Sequence, residues 1–266
     1  MRPLANNWLV GSIMQRLKVI ILAVVVIAII AGGTIWWYYS YGPGKPVLVM
    51  GTSADFPPFE YVDEQGNIVG FDIDIAKYIA NKYGYRLVIK DIAFEGLIPA
   101  LLAGEIDMIV AAMTITAERE EVVDFSIPYY NASQGILIRA DAPDIVKLED
   151  LYNKTIGVQS GTTGEAWAME NLANYSEIIA YPRVYDAIAA LEAGYIDALI
   201  LDEPVANYYG ETVEDIKKAS YVIETGEQYG IAVREGDTEL LNKINAALEE
   251  LIRSGKYNEL IGKWFG

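Results

Sequence analysis

The sequence contains no cysteine and no histidine in 266 residues. Without cysteine there is no disulfide scaffold, no thiolate nucleophile or metal ligand, and no lipid attachment through an N-terminal Cys. Without histidine there is no Ser-His-Asp triad and no ordinary zinc site, and the commonest general base is missing. Basic residues are scarce as well: 20 Lys and Arg stand against 37 Asp and Glu, a formal charge of −17. Phosphate backbones need a basic surface, so nucleic acid is not an expected partner. No metal and no other cofactor is expected, and most conventional catalysis is disfavoured.

What charge there is falls unevenly. Residues 1–45 hold Arg2, Arg16, Lys18 and Lys45 and no acid, and the first carboxylate is Asp55. The other 16 basic and all 37 acidic residues follow, so the body carries a net −21. Such asymmetry marks a targeting or membrane segment at the head. Within it, VIILAVVVIAIIAGGTIWWYY (19–39) is an uncharged run. As a helix it would span roughly 31 Å, close to the thickness of a bilayer's hydrocarbon core. Arg16 and Lys18 precede it and Trp36, Trp37, Tyr38 and Tyr39 close it, which predicts residues 1–18 in the cytoplasm and the body outside. A cleaved secretory signal is the rival reading, with Ala31-Gly32-Gly33 as its cleavage site; its apolar region would usually be shorter. The Gly/Pro stretch at 40–45 reads as a linker.

The body alternates strand and helix patterns. VLVMG (47–51) and RLVIKDI (86–92) read as strands, FDIDIAKYIANKY (71–83) and FEGLIPALLAGE (94–105) as helices, and IDMIVAAM (106–113) as a further strand. This order predicts an α/β fold built on a parallel sheet. The pattern then recurs: ALLAGEIDMIV (100–110) lies on ALEAGYIDALI (190–200) with six identities in eleven positions. TIGVQSGTTG (155–164) likewise echoes VLVMGTSADF (47–56) as strand, polar turn and helix. Two similar α/β lobes follow, with the cleft between them as the natural ligand site.

Spaced motifs then resemble a known family. They are GTSADFPPFEY (51–61), GFDIDIAKYIA (70–80), FEGLIPALLAGEIDMIVAAMTITAERE (94–120), VDFSIPYY (123–130), GVQSGTTGE (157–165), IDALILDEP (196–204) and GKYNELIGKWFG (255–266). Together they are similar to the extracytoplasmic solute-binding proteins of polar amino-acid ABC transporters. The resemblance implies a two-lobed, type II periplasmic-binding-protein fold behind the N-terminal helix. Its first lobe would comprise 46–130 and 229–266, its second 134–224, with chain crossings near 129–133 and 224–229. It also implies a monomer that takes a small-molecule amino acid, closes on it by a hinge, and delivers it to a membrane permease.

The same resemblance assigns site residues. Arg119 matches the arginine that grips the ligand carboxylate, a task suited to a guanidinium fork; the plain alternative pairs it with Glu118 or Glu121. Asp202 matches the ammonium-binding aspartate, or else caps the helix that opens at Glu203-Pro204. Ala112 and Thr114 match backbone and hydroxyl donors, and Thr162 does the same from the second lobe, although threonines also simply cap helices. Phe56 and Phe94 match aromatic walls, or are core. Ser53 stands where several basic- or glutamine-binding relatives carry aspartate, and Gln159 where relatives vary. Glu60 faces either the pocket or solvent; facing in, with Asp202, it suits a cationic side chain such as arginine or lysine, and otherwise Ser53 and Gln159 suit glutamine. A dehydratase on the same scaffold would need an acid or base from Glu60, Glu165 or Glu203. A sensory module would need an output domain beyond the closing motif at Gly266. An uncleaved anchor makes one outcome specific: N-terminal sequencing of the mature protein should read from the start of the chain, and a start near Thr34 would sink the anchor.

Overall fold

The computed structural model describes residues 44–266, with Ala28 and Gly32 alone before them. The segments expected at 1–18 and 19–39, and the linker up to residue 43, therefore lie outside the described residues, those two positions apart. Among the described residues no helix is long and apolar enough to cross a membrane.

From Val47 the chain builds two lobes. The first contains β1 (Val47–Thr52), β2 (Asp55–Phe56), β3 (Glu60–Val62), β4 (Ile68–Val69), β5 (Arg86–Asp91), β6 (Met108–Ile109) and β7 (Val123–Phe125). The second contains β8 (Tyr130–Arg139), β9 (Thr155–Gln159), β10 (Glu177–Tyr181), β11 (Ala198–Asp202), β12 (Ile216–Lys218) and β13 (Ile223–Tyr229). The returning β14 (Ala232–Arg234) completes the first sheet, ordered β5-β1-β6-β14-β7, while the second runs β10-β9-β11-β8-β12 with β13 also on β8. β8 and β13 pair antiparallel, Tyr130 opposite Tyr229, and carry the chain between the lobes.

Helices cover both sheets for legible reasons. In α1 (Phe71–Lys82) the buried residues are Phe71, Ile75, Ala76 and Ile79 among others, at helical spacing, with Asp72 and Asp74 at the positive N-terminal end. The other helices are α2 (Leu97–Leu102), α3 (Ala117–Glu120), α4 (Thr163–Leu172), α5 (Val184–Glu192), α6 (Glu203–Thr212), α7 (Thr238–Arg253) and α8 (Lys256–Trp264). α7 begins where the Asp237 side chain accepts from Leu240 N–H at 3.1 Å, buries Leu240, Ile244, Ala247, Leu248 and Leu251, and stops before Gly255.

The internal repeat holds at the level of single hydrogen bonds. Gly104 and Gly194 both take φ +73° after their helices. Asp107 then accepts from Val49 N–H at 2.8 Å, as Asp197 does from Thr155 N–H at 2.9 Å. These bonds set Val49 against Thr155, and hence Gly51 against Gly157, a register two residues away from the sequence pairing of 47–56 with 155–164. A side chain at either glycine would run into the isoleucine of its own Ile-Asp pair, Ile106 or Ile196. The halves also differ after this strand. The first lobe inserts the three-stranded unit β2-β3-β4 where a helix is expected, because Pro57-Pro58 and the turn at 63–67 cannot continue one. The strand expected at 106–113 is short for a related reason: the chain leaves β6 so that Ala112, at φ 45°, can point its N–H at the Asp72 carboxylate.

The lobes are closed on one another. The N-terminal N–H of α5, from Val184, donates to Asp55 Oδ2 at 2.8 Å, and Arg183 pairs with Asp91 at 2.7 Å. Tyr185 and Tyr209 hydroxyls reach the carbonyls of Ala54 and Asp55.

Glycine 70 separates two backbone demands. At φ +140° its missing Cβ would overlap the Phe59 carbonyl, whereas Gly84, at φ +72°, faces open space. Gly70→Ala should destabilise the fold by about 3 kcal/mol or more, and Gly84→Ala by about 1 kcal/mol, in urea unfolding. Equal losses would show that the approach of the 59–60 segment to α1 is not limiting.

Candidate functional site

Strand ends converge where the lobes meet, the usual place for ligands in α/β sheets. There they enclose a small cavity of about 20 Å³, lined by all ten residues expected from the sequence together with Ala111 and Thr163. Ser53 and Phe56 come from the end of β1 and from β2, Glu60 from β3, and Phe94 from the turn before α2. Ala112 and Thr114 follow β6, and Arg119 lies in α3. From the second lobe, Gln159 ends β9, Thr162 and Thr163 open α4, and Asp202 ends β11.

Arg119 spans the cleft. Its Nη1 donates to the Thr114 carbonyl at 2.6 Å and its Nη2 to the second-lobe Gly161 carbonyl at 2.9 Å. The guanidinium carbon stands 5.3 Å from the centre of the Phe94 ring, within cation–π range. It is ion-paired with neither Glu118 nor Glu121 among the described residues. A guanidinium carries five N–H donors, so two carbonyl bonds leave three for an anion in the cavity. Burial lowers its pKa from the ordinary value, with Glu227 and Asp202 opposing, and an arginine remains charged throughout.

Asp202 sits at the N-cap position of α6, but its side chain makes no capping bond. It accepts instead from Gln134 Nε2 at 2.5 Å and from the Tyr229 hydroxyl. Burial pushes its carboxyl up to about 7, and the charge of Glu227 adds to the rise. Thr162 serves two purposes, lining the cavity and capping α4 through Glu165 N–H at 3.2 Å. Glu60, only 1% exposed, faces in. Glu60 Oε2 and Gln159 Nε2 are buried without a hydrogen-bond partner among the described residues. Glu165 and Glu203 do not line the cavity: Glu165 accepts from Gly161 N–H, and Glu203 pairs with Lys218 and borders a separate open groove beside Tyr208 and Trp264. Among the described residues no three acidic side chains are grouped to hold a metal ion.

Residues 48–266 match the model of a protein family described as bacterial extracellular solute-binding proteins, family 3. The chain belongs to that family. It is 38% identical over 224 residues to the arginine-binding extracellular protein ArtP of Bacillus subtilis (strain 168), covering 84% of this chain and 87% of that one. Two solved structures of an ancestral arginine-binding protein, one bound to arginine and one to glutamine, are 42% and 43% identical. Each superposes with a TM-score of 0.80, covering 84% of this chain and 100% of its own.

In this family-3 binding protein the sequence reading missed the support behind the site. Glu227, on β13, accepts from Thr114 Oγ1 at 2.6 Å, Thr163 Oγ1 at 2.8 Å and Gln134 Nε2 at 2.9 Å, and so joins both lobes to a crossing strand. Its signal was available in the alternation of IETGEQY, in which Ile223, Glu227 and Tyr229 are buried. Asp72, hidden in the first turn of α1, holds Ala112 N–H and the Tyr129 hydroxyl at 2.7 Å each.

These buried acids set the response to pH. Burial raises Asp55 and Asp72 to about 6 and Asp202 to about 7, all above their ordinary value of 3.8. The folded chain thus binds more protons than the unfolded one between about pH 4 and pH 7, so stability falls as pH rises through that window. Thermal melts of the ligand-free protein should lose a few kcal/mol between about pH 4 and pH 8. Asp202→Asn should flatten the upper part of the curve, and an unchanged slope would contradict the burial assignment.

Proposed function

We propose that the cavity binds a polar L-amino acid, leaning to arginine or lysine with glutamine as second choice, and that the protein hands it to the permease of an ABC transporter. The observation that carries this reading is the pair Arg119 and Asp202, a cation from one lobe and a carboxylate from the other, lining one closed cavity. An α-amino acid offers the complementary pair at fixed spacing. Arg119 takes the α-carboxylate with its free donors, helped by Thr114 and by the N-terminus of α4. Asp202 takes the ammonium, beside the backbone of Ala112. The side chain then runs between Phe56 and Phe94 toward Ser53, Gln159 and Glu60. A second acid with an unpartnered oxygen favours a cationic tip, and the arginine-binding relatives support that choice. The glutamine-bound ancestral structure supports the runner-up.

In this reading the body works outside the cell as a monomer, tethered by residues 19–39, and confinement near the permease raises the encounter frequency. Binding without turnover is supported by the relatives, which are named as arginine-binding proteins.

Calorimetry of the ligand-free, full-length protein against the common amino acids is the test. Arginine should bind with a Kd of micromolar order or tighter, and silence at millimolar concentrations would overturn the reading. Arg119→Ala should weaken binding by about 100-fold or more, with a loss of stability of no more than about 1 kcal/mol. Unchanged affinity would refute the carboxylate assignment.

A further inference from the structure

Two acids share one buried place at the cavity wall. β3 presents Glu60, and α1 begins directly behind it, where Phe71 N–H and Asp72 N–H donate to the carbonyls of Pro58 and Phe59 at 3.0 Å each. Gly70 alone allows this approach, since any Cβ there would collide with Phe59. The Asp72 carboxyl therefore lies within hydrogen-bonding reach of the Glu60 carboxyl, and both residues are at most 1% exposed.

One side of Asp72 is spoken for: Oδ2 accepts from Ala112 N–H and the Tyr129 hydroxyl. The buried oxygens left without a donor among the described residues are Glu60 Oε2 and Asp72 Oδ1. One proton held between these two groups satisfies both oxygens, and no arrangement with both acids ionised does so. The surroundings push the same way. The ionisable groups facing Glu60 include Asp72 from α1, Asp55 from β2, Asp202 from β11 and Tyr129, and those facing Asp72 include Glu60, Tyr129 and Tyr257 from α8. Arg183 acts on Asp55, and Arg119 on Asp202. Burial accordingly holds the Glu60 carboxyl well above the usual carboxylate range.

We propose that Glu60 and Asp72 select the ligand side chain by proton exchange: with their shared proton they accept a neutral amide, and they release it when a guanidinium enters. The proposal rests on the amino-acid reading of the cavity and adds a mechanism to it. A cation within about 4–6 Å lowers a carboxyl pKa by about 1–3 units, which favours loss of the shared proton. The O–H bond of the pair breaks, the proton passes to the buffer, and the guanidinium keeps all of its own. Asp72 touches no ligand here; it is a positioning residue that acts through Glu60.

The experiment is calorimetry of the full-length protein with arginine and with glutamine, in buffers of different ionisation enthalpy, from about pH 5 to about pH 9. Both ligands bring an α-ammonium to Asp202, so glutamine reports the protons released there and the difference reports the pair. Arginine should release up to about one proton more than glutamine, and the ratio of arginine to glutamine affinity should climb with pH by at most about tenfold per unit. Glu60→Gln should abolish both the excess and the slope and lower the ratio. Asp72→Asn keeps Glu60 in the cavity and should remove the pH slope while arginine still binds. Equal proton release with a flat ratio in the unaltered protein would overturn the proposal without any variant, as would an Asp72→Asn protein that keeps the full excess. Failure of both amino acids to bind would instead overturn the amino-acid reading itself.

Discussion

The cavity holds more buried acid than base, and most features around it follow from that imbalance. Asp202, Glu227, Glu60 and Asp72 are each less than 9% exposed, and among the described cavity residues Arg119 is the one cation set against them. Carboxylates brought out of water are costly unless bonded, and each of these is handled differently. Glu227 collects three donors from both lobes and Asp202 collects two. Asp72 collects two at one oxygen, and Glu60 is left with none among the described residues. The site is therefore most strained electrostatically where a cationic ligand would relieve it.

That arrangement depends on the geometry of two similar lobes. Because β1 and β9 each end at the cleft, the short segments beyond them deliver Ser53 and Phe56 from one side and Gln159 and Thr162 from the other. The N-termini of α4 and α5 point the same way, and α5 already uses its own on Asp55. The bonds that hold the lobes together thus run through Ala54 and Asp55, beside the Ser53 and Phe56 that line the cavity. Arg119 belongs to both, since one of its bonds crosses the cleft to Gly161.

Much of this was legible in the chain. Helix faces such as Phe71, Ile75 and Ile79 and the repeated Ala-Gly-x-Ile-Asp turn are local signals read through spacing, whereas Arg119 and Asp202 were assigned by the family resemblance of their motifs. All ten expected site residues line one cavity, most of them at the end of a strand or the start of a helix, with Ala112 and Thr114 in the segment between β6 and α3. The supporting residues were less legible. Asp72 looks like an ordinary acid in a helix's first turn, and for Glu227 the alternation of its strand gives a direction but no partner. Their partners, Tyr129, Ala112, Thr114 and Thr163, are 40 to 113 residues away or across a lobe boundary.

The sequence by itself determined the α/β class and the duplicated design, because these rest on periodicity and on an internal repeat. Tertiary structure alone decided which way Glu60 faces and what stands behind it. It also decided that Asp202 binds side chains instead of capping its helix, and that Glu165 and Glu203 lie outside the cavity. The reason is physical: a carboxyl group's role is set by the donors and charges within a few ångströms of it, and those neighbours are brought together by packing, not by sequence proximity.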